Sequence, residues 1–175
     1  MDMFIDPWEM YVQEKLDLLA RSPYHASFKN LASPINLPMT KKMQAPESQT
    51  QHGGTYAYQP LRNNGEIRLL ELLPGKGDMP LQGAIYHVSL ENPGEFLALS
   101  YVWGAATKLF TLSTPGGNIY ITLSLDSALR CVRDAESPTR IWVDAICIDQ
   151  DTHLEKCIQI WLLRKIFQAA EEVVA

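Results

Sequence analysis

The sequence predicts an α/β domain with a mainly parallel sheet flanked by helices. Over residues 96–175, strand-like and helix-like segments follow in the order strand, helix, strand, helix, strand, which is typical of βαβ units. The run Phe96–Val102 is almost continuously apolar, as expected of a strand covered on both faces. The connections between parallel strands are expected to be right-handed.

Composition narrows the class of protein. The chain has 175 residues, of which 46% are hydrophobic and 20% charged, as is ordinary for a soluble globular protein with a sizeable core. The net charge of −5 argues against nucleic acid as a partner. There is no signal-peptide pattern at the start and no apolar run near the roughly 20 residues of a membrane span, so we predict a cytoplasmic protein.

Residues 1–55 are predicted to form a helix followed by a flexible linker, and residues 56–175 the domain itself. Asp6 can cap the helix, and Pro7 suits its first turn. Apolar residues then recur at helical spacing: Trp8, Val12, Leu16 and Leu19. This helix would pack on the domain or bind a partner. Residues 30–55 are rich in Pro, Gln, Ser and Thr, which favours a linker.

Two strand candidates, at residues 67–73 and 84–90, precede the alternating region, and each ends at a Pro-Gly turn signal. They predict a hairpin-like addition beside the parallel core. A further short strand is expected at 119–122, after the turn at 115–117.

The helices of the alternating region have recognisable starts. Ser124 is predicted to cap the first, which buries one apolar face: Leu125, Ala128, Leu129 and Val132. Residues 140–148 begin as a buried strand and pass into a loop. Thr152 and Glu155 form a capping-box pattern that opens a long helix through Ala170, and residues 173–175 begin one more strand.

The three cysteines, Cys131, Cys147 and Cys157, lie in apolar segments without CxxC spacing, so reduced core thiols are expected rather than disulfides or a zinc site. A thiol–imidazole pair of Cys147 with His153 is a conceivable nucleophile, but nothing in the sequence orients it. No metal site is predicted, because no histidine stands at ligand spacing among residues 149–151.

Three blocks of sequence resemble the fungal heterokaryon-incompatibility (HET) domain. They are Ala98–Gly104 (ALSYVWG), the helix Leu125–Arg133, and Ile141–Gln150 (IWVDAICIDQ) with the residues that follow it; the lead-in Tyr58–Gly75 is also similar. Asp149, Lys156 and Phe167 stand where the family commonly has Asn, Arg and Tyr. The family continues past the last strand, so the resemblance implies that this chain holds the front, truncated part of the domain.

Asp144 is a candidate ligand-binding or catalytic residue, because ligands of open parallel sheets bind beyond the carboxyl ends of the strands. Its carboxylate can accept a hydrogen bond from a ribose hydroxyl or act as a base. The alternative is that it accepts hydrogen bonds from loop amides and only fixes the turn. Ser100, Tyr101, Trp103 and Gly104 end the neighbouring strand and are candidates for the same ligand, with Trp103 stacking on a ring. The alternative is a tryptophan-filled strand exit that closes the core.

Asp149 and Gln150 are expected in the loop that feeds the long helix, and both are candidate ligand contacts. Glu155 is a second catalytic candidate. A structural role for Glu155 is available as well, since it would be the third residue of a capped helix.

The HET resemblance implies a role in fungal non-self recognition and programmed cell death, with a protein partner. HET domains are distantly similar to Toll/interleukin-1-receptor (TIR) domains, which implies a TIR- or flavodoxin-like sheet. This leaves two mechanisms open: an enzyme that cleaves NAD, and a signalling module that self-associates. The glutamate of NAD-cleaving TIR domains follows the third strand, so this chain alone is expected to be inactive as an NAD hydrolase. An inactive, incompletely folded fragment is the third reading.

Overall fold

The computed structural model describes residues 54–101 and 107–174. Its strands are β1 (Glu66–Leu72), β2 (Leu81–Ser89), β3 (Leu97–Leu99), β4 (Lys108–Thr114), β5 (Gly117–Thr122), β6 (Thr139–Trp142) and β7 (Glu172–Val174). The helices are α1 (Leu123–Val132), α2 (Asp144–Cys147) and α3 (His153–Ala169). The predicted helix at residues 6–19, the linker and Trp103 with Gly104 lie outside the described residues.

The strands form one mixed sheet in the order β5-β4-β2-β1-β6-β3-β7. Its long ladders are antiparallel: β1 pairs with β2 from Glu66 opposite Ser89 to Leu72 opposite Gly83, and β4 pairs with β5. Parallel pairing joins β2 to β4, β6 to β3 and β3 to β7. The α/β class is therefore confirmed, but the expected mainly parallel sheet is not, because hairpins supply most of the pairing.

β1 lies at the middle of the sheet and is buried along almost its whole length. Polar and apolar residues alternate from Glu66 to Leu69, but all four are buried, so the alternation does not mark a solvent face. The predicted hairpin of residues 67–73 and 84–90 is present as β1 and β2. It extends the sheet from β6, through antiparallel pairs such as Leu70 with Ile141.

The two strands that the sequence placed side by side are neighbours and run in the same direction. β3 pairs with β6 in parallel, with Leu97 opposite Ile141 and Ala98 opposite Trp142. They do not lie at the centre, which β1 occupies, and β3 is shorter than the apolar run Phe96–Val102.

Several local predictions were wrong. The strand β4 was missed, because its segment Lys108–Thr114 contains no long apolar run. The residue that caps α1 is Thr122, whose side chain accepts the backbone N–H of Leu125 at 3.3 Å; Ser124 is already inside the helix. Cys131 on α1 is exposed, although Cys147 and Cys157 are buried and all three are free thiols.

Candidate functional site

The carboxyl ends of β3 and β6 form the candidate site. Beyond β3, the backbone N–H of Ser100 still donates to the carbonyl of Val174 at 2.8 Å, so this residue extends the pairing with β7. Beyond β6, Val143 leads directly into α2, where Asp144 is the first helical residue and only 5% exposed. The parallel direction of the two strands thus brings Tyr101 and Asp144 to the same edge of the sheet.

The charge of Asp144 acts on the hydroxyl of Tyr101. Burial raises the pKa of the Tyr101 hydroxyl, and the negative charge of Asp144 raises it further. The phenol therefore stays protonated at neutral pH and can donate a hydrogen bond rather than act as a base. A neutral donor beside a carboxylate acceptor suits a ligand that carries hydroxyl groups.

Gln150 joins this edge through the backbone. Its side-chain amide Nε2 donates to the carbonyl of Asp144 at 2.9 Å, and the N–H of Ile148 donates to the same carbonyl at 3.2 Å. The loop of residues 148–152 is therefore tied back to the start of α2.

The other two acidic candidates have structural partners. The Asp149 carboxylate accepts the backbone N–H of Asp151 at 3.1 Å and the Thr152 hydroxyl at 2.7 Å, both within its own loop. Thr152 is the residue before α3, as predicted, but its side chain makes no capping hydrogen bond. The capping box with Glu155 was therefore a wrong prediction, since both side chains turn to other groups.

Glu155 forms a buried ion pair with Arg68 of β1. The two carboxylate oxygens accept from Nη1 at 2.5 Å and Nη2 at 2.9 Å, and the Arg68 side chain is 0% exposed. The same carboxylate accepts the backbone N–H of Asp149 at 2.7 Å. Paired, forked contacts of this kind fix geometry as well as charge. Glu155 thereby ties the candidate loop to the central strand.

Arg68 also holds backbone groups from two other segments. Nη1 donates to the carbonyl of Cys147 at 3.2 Å, and Nη2 donates to the carbonyl of Gln59 at 2.6 Å. The Tyr58 ring lies 5.0 Å from the guanidinium carbon, and the Tyr58 hydroxyl donates to the carbonyl of Ile146 at 2.8 Å. Arg68 therefore connects the lead-in segment, α2 and α3.

Sequence reasoning missed the role of Arg68, although a signal was present. A charged side chain in the middle of the apolar strand Ile67–Leu70 is costly to bury unless it is paired. The sequence could not reveal which acid supplies the pair, because Glu155 is 87 residues away along the chain. Tyr58 carried no comparable signal.

His87 and Glu66 form a second polar cluster on the hairpin. His87 Nδ1 lies 3.6 Å from a carboxylate oxygen of Glu66, and its Nε2 accepts from Arg68 Nε at 3.3 Å. Burial and the nearby charge of Arg68 lower the pKa of His87, so the imidazole is neutral at pH 7. The cluster supports Arg68 and lies on β1 and β2, away from the candidate loop.

Cys147 is unsuited to nucleophilic chemistry. Its side chain is 0% exposed, and burial raises the pKa of the thiol to about 12. The Sγ atom lies 3.5 Å from the N–H of Val143 and 3.8 Å from the carbonyl of Ile141. His153, by contrast, is exposed. Both the burial and the pKa count against the thiol–imidazole pair.

A thiol-labelling experiment tests this difference. We expect Ellman's reagent to modify Cys131 rapidly in the folded protein and to reach Cys147 and Cys157 only after denaturation, because thiolate formation and access both require exposure. The measurement is the number of thiols that react before and after urea is added. A Cys131→Ser variant should lose the rapid phase. Rapid modification of Cys147 in that variant would contradict the expectation.

Within residues 54–101 and 107–174, no group of three or more His, Cys, Asp or Glu side chains could hold a metal ion. No helix there has the length and apolar character needed to cross a membrane.

Comparison with known proteins identifies the class to which this sheet edge belongs. The family model described as "Heterokaryon incompatibility protein (HET)" matches residues 96–175, which include both strands of the candidate site. This segment of the chain is therefore similar to the heterokaryon incompatibility protein family. No solved structure matches the chain.

A curated relative is similar over a longer stretch of the chain. Heterokaryon incompatibility protein 6, OR allele, from Neurospora crassa is 37% identical over 122 residues. The aligned region spans 62% of this chain and 18% of the relative. The chain therefore corresponds to less than a fifth of that protein.

Proposed function

We propose that this chain acts in heterokaryon incompatibility, as a fungal non-self recognition module whose engagement leads to cell death through a protein partner. The match of residues 96–175 to the family carries this proposal, and the name of the Neurospora relative supports it. Because the chain corresponds to a small part of that relative, the activity is proposed for the module and not inferred for a whole protein.

The edge formed by Tyr101 and Asp144 is the proposed working site, and a nucleotide is the proposed ligand. Three parallel strands lie side by side in the order β6-β3-β7. The strand that comes first along the chain, β3, therefore lies between the second, β6, and the third, β7. This is the order of the first three strands of flavodoxin-like sheets, which bind ligands where the strand order reverses. It supports the TIR-like reading without depending on any solved relative.

Chemistry at the edge favours NAD as ligand or substrate. The Asp144 carboxylate is placed to accept ribose hydroxyls, and the neutral Tyr101 hydroxyl to donate to a ligand oxygen. Ser100 and Gln150 border the same edge, and Trp103 is proposed to stack on a ring. For these residues we propose binding of NAD and assign no step of its cleavage.

Inducible expression in a fungal host tests the role in cell death. We expect expression of the chain to reduce viability, and Asp144→Asn and Tyr101→Phe to restore it at equal protein levels. Leu109→Ala is the matched control, because Leu109 is 77% exposed and lies away from the edge. Death that persists in both edge variants would exclude the edge as the working site, and full viability with the unmodified chain would exclude the role.

Incubation with NAD separates binding from catalysis. The chain should bind NAD in a titration calorimeter without releasing nicotinamide, and Asp144→Asn should weaken the binding. Release of nicotinamide by the chain would contradict the binding-only assignment. Failure of the chain to bind NAD would exclude the nucleotide. We also propose that the module signals by self-association, whether or not it binds NAD.

A further inference from the structure

The outer face of α3 carries an apolar stripe. Leu154 is 54% exposed and Trp161 is 62% exposed, with the half-buried Ile158 between them. Positions separated by four and three residues lie on the same side of a helix. The core face of the same helix is supplied by other residues, such as Leu163 and Ile166. The stripe is therefore additional to the core, and exposed apolar patches of this kind mark interaction surfaces.

One charged residue stands at each end of the stripe. Asp151 precedes it and Lys165 follows it, and both side chains are exposed. Asp151 lies two residues before α3 begins, and the twelve helical steps from His153 to Lys165 rise by about 18 Å at about 1.5 Å per residue. In the part of the chain that the structure describes, neither side chain takes part in an ion pair.

The spacing of stripe and charges is self-complementary. If two copies of α3 lie antiparallel with Ile158 facing Ile158, then Leu154 of each copy faces position 162 of the other, one residue or about 1.5 Å along the axis from Trp161. The same alignment sets Asp151 of each copy opposite Lys165 of the other. This reciprocity, in which residue i meets j and j meets i, is the property of a two-fold interface.

We propose that the α3 face, defined by Asp151, Leu154, Ile158, Trp161 and Lys165, binds a second copy of this chain. The inference rests on the proposed function in that it gives the self-associating module its contact surface. A single helix face buries less than the roughly 800 Å² per partner of a stable complex. Association is therefore weak and depends on concentration, with specificity supplied by the two Asp–Lys pairs.

Sedimentation velocity of the full chain over about 1 µM to about 1 mM tests the surface. We expect a monomer–dimer equilibrium whose Kd rises at least about tenfold in Trp161→Ala, since a buried tryptophan anchor dominates small interfaces. Leu109→Ala, which removes a more exposed side chain elsewhere, should leave Kd unchanged. A chain that stays monomeric throughout, or a dimer that tolerates Trp161→Ala, overturns the proposal.

Charge reversal tests the antiparallel register. Lys165→Asp and Asp151→Lys should each weaken the dimer, because like charges then face one another, and the double variant D151K/K165D should restore it. A double variant that stays as weak as the single ones overturns the register. Cell death without a dimer would overturn this inference together with the proposed self-association, and would leave the role in heterokaryon incompatibility standing. A dimer as expected, without cell death, would support this inference and exclude the role in cell death.

Discussion

Replacing Arg68 with methionine should lower the free energy of unfolding by about 3–5 kcal/mol, which makes it one of the two most damaging single changes expected in the domain. The substitution leaves the Glu155 carboxylate, which is 9% exposed, without its ion-pair partner. It also removes the donors to the carbonyls of Cys147 and Gln59. Urea unfolding followed by circular dichroism measures the loss.

Two further variants distinguish the effect of breaking the buried ion pair from the effect of removing an arginine at any position. Arg62→Met removes an 82% exposed side chain whose contact with Glu66 is 3.9 Å, and it should cost less than about 1 kcal/mol. Combining Arg68→Met with Glu155→Met should cost less than the sum of the two single changes, because no charge is then left buried. Equal losses in Arg62→Met and Arg68→Met would show that burial does not govern the effect.

Trp142→Ala should cost about 3–5 kcal/mol, through lost burial and the cavity that remains. Trp142 is 0% exposed at the end of β6 and packs edge-to-face on Phe167 of α3, with ring centroids 5.8 Å apart. It thus joins the strand of the candidate site to the helix that covers it. Thermal and urea unfolding of the variant provide the measurement.

Trp161→Ala is the matched control for Trp142, since it removes the same side chain from an exposed position on α3. Its effect on the monomer should stay within about 0.5 kcal/mol. Trp142→Phe should also cost less than Trp142→Ala, because the ring remains and, among the described residues, the indole N–H has no hydrogen-bond partner to lose. A Trp161 variant as unstable as Trp142→Ala would contradict the assignment of core and surface.

Both predictions concern residues that support the candidate edge without belonging to it. Arg68 acts through Glu155 on the backbone of Asp149, and Trp142 fixes β6 just before Asp144. Variants at these positions should therefore lose cell-death activity together with stability, whereas Asp144→Asn and Tyr101→Phe should lose activity at much smaller cost in stability. Measuring both properties on the same variants distinguishes the site from its support.

The hydrophobic periodicity located most elements because local spacing determines which face of a helix or strand can be buried. The helix from Thr152 to Ala170 and the hairpin near 67–90 were found in this way. Local signals failed where two residues offered similar chemistry: Thr122 and Ser124 can both cap, and the choice depends on where β5 ends. The strand Lys108–Thr114 escaped because an edge-region strand needs no long apolar run.

The sequence by itself determined the α/β class, the similarity of residues 96–175 to the heterokaryon incompatibility family, and the parallel pairing of the strands before Tyr101 and Asp144. Periodicity and motif are local properties, readable over a few residues at a time. Only the tertiary structure decided that the sheet is mixed, that Glu155 pairs with Arg68 instead of capping its helix, and that Cys131 is exposed. Those outcomes depend on contacts between distant segments, whose energies no local pattern encodes.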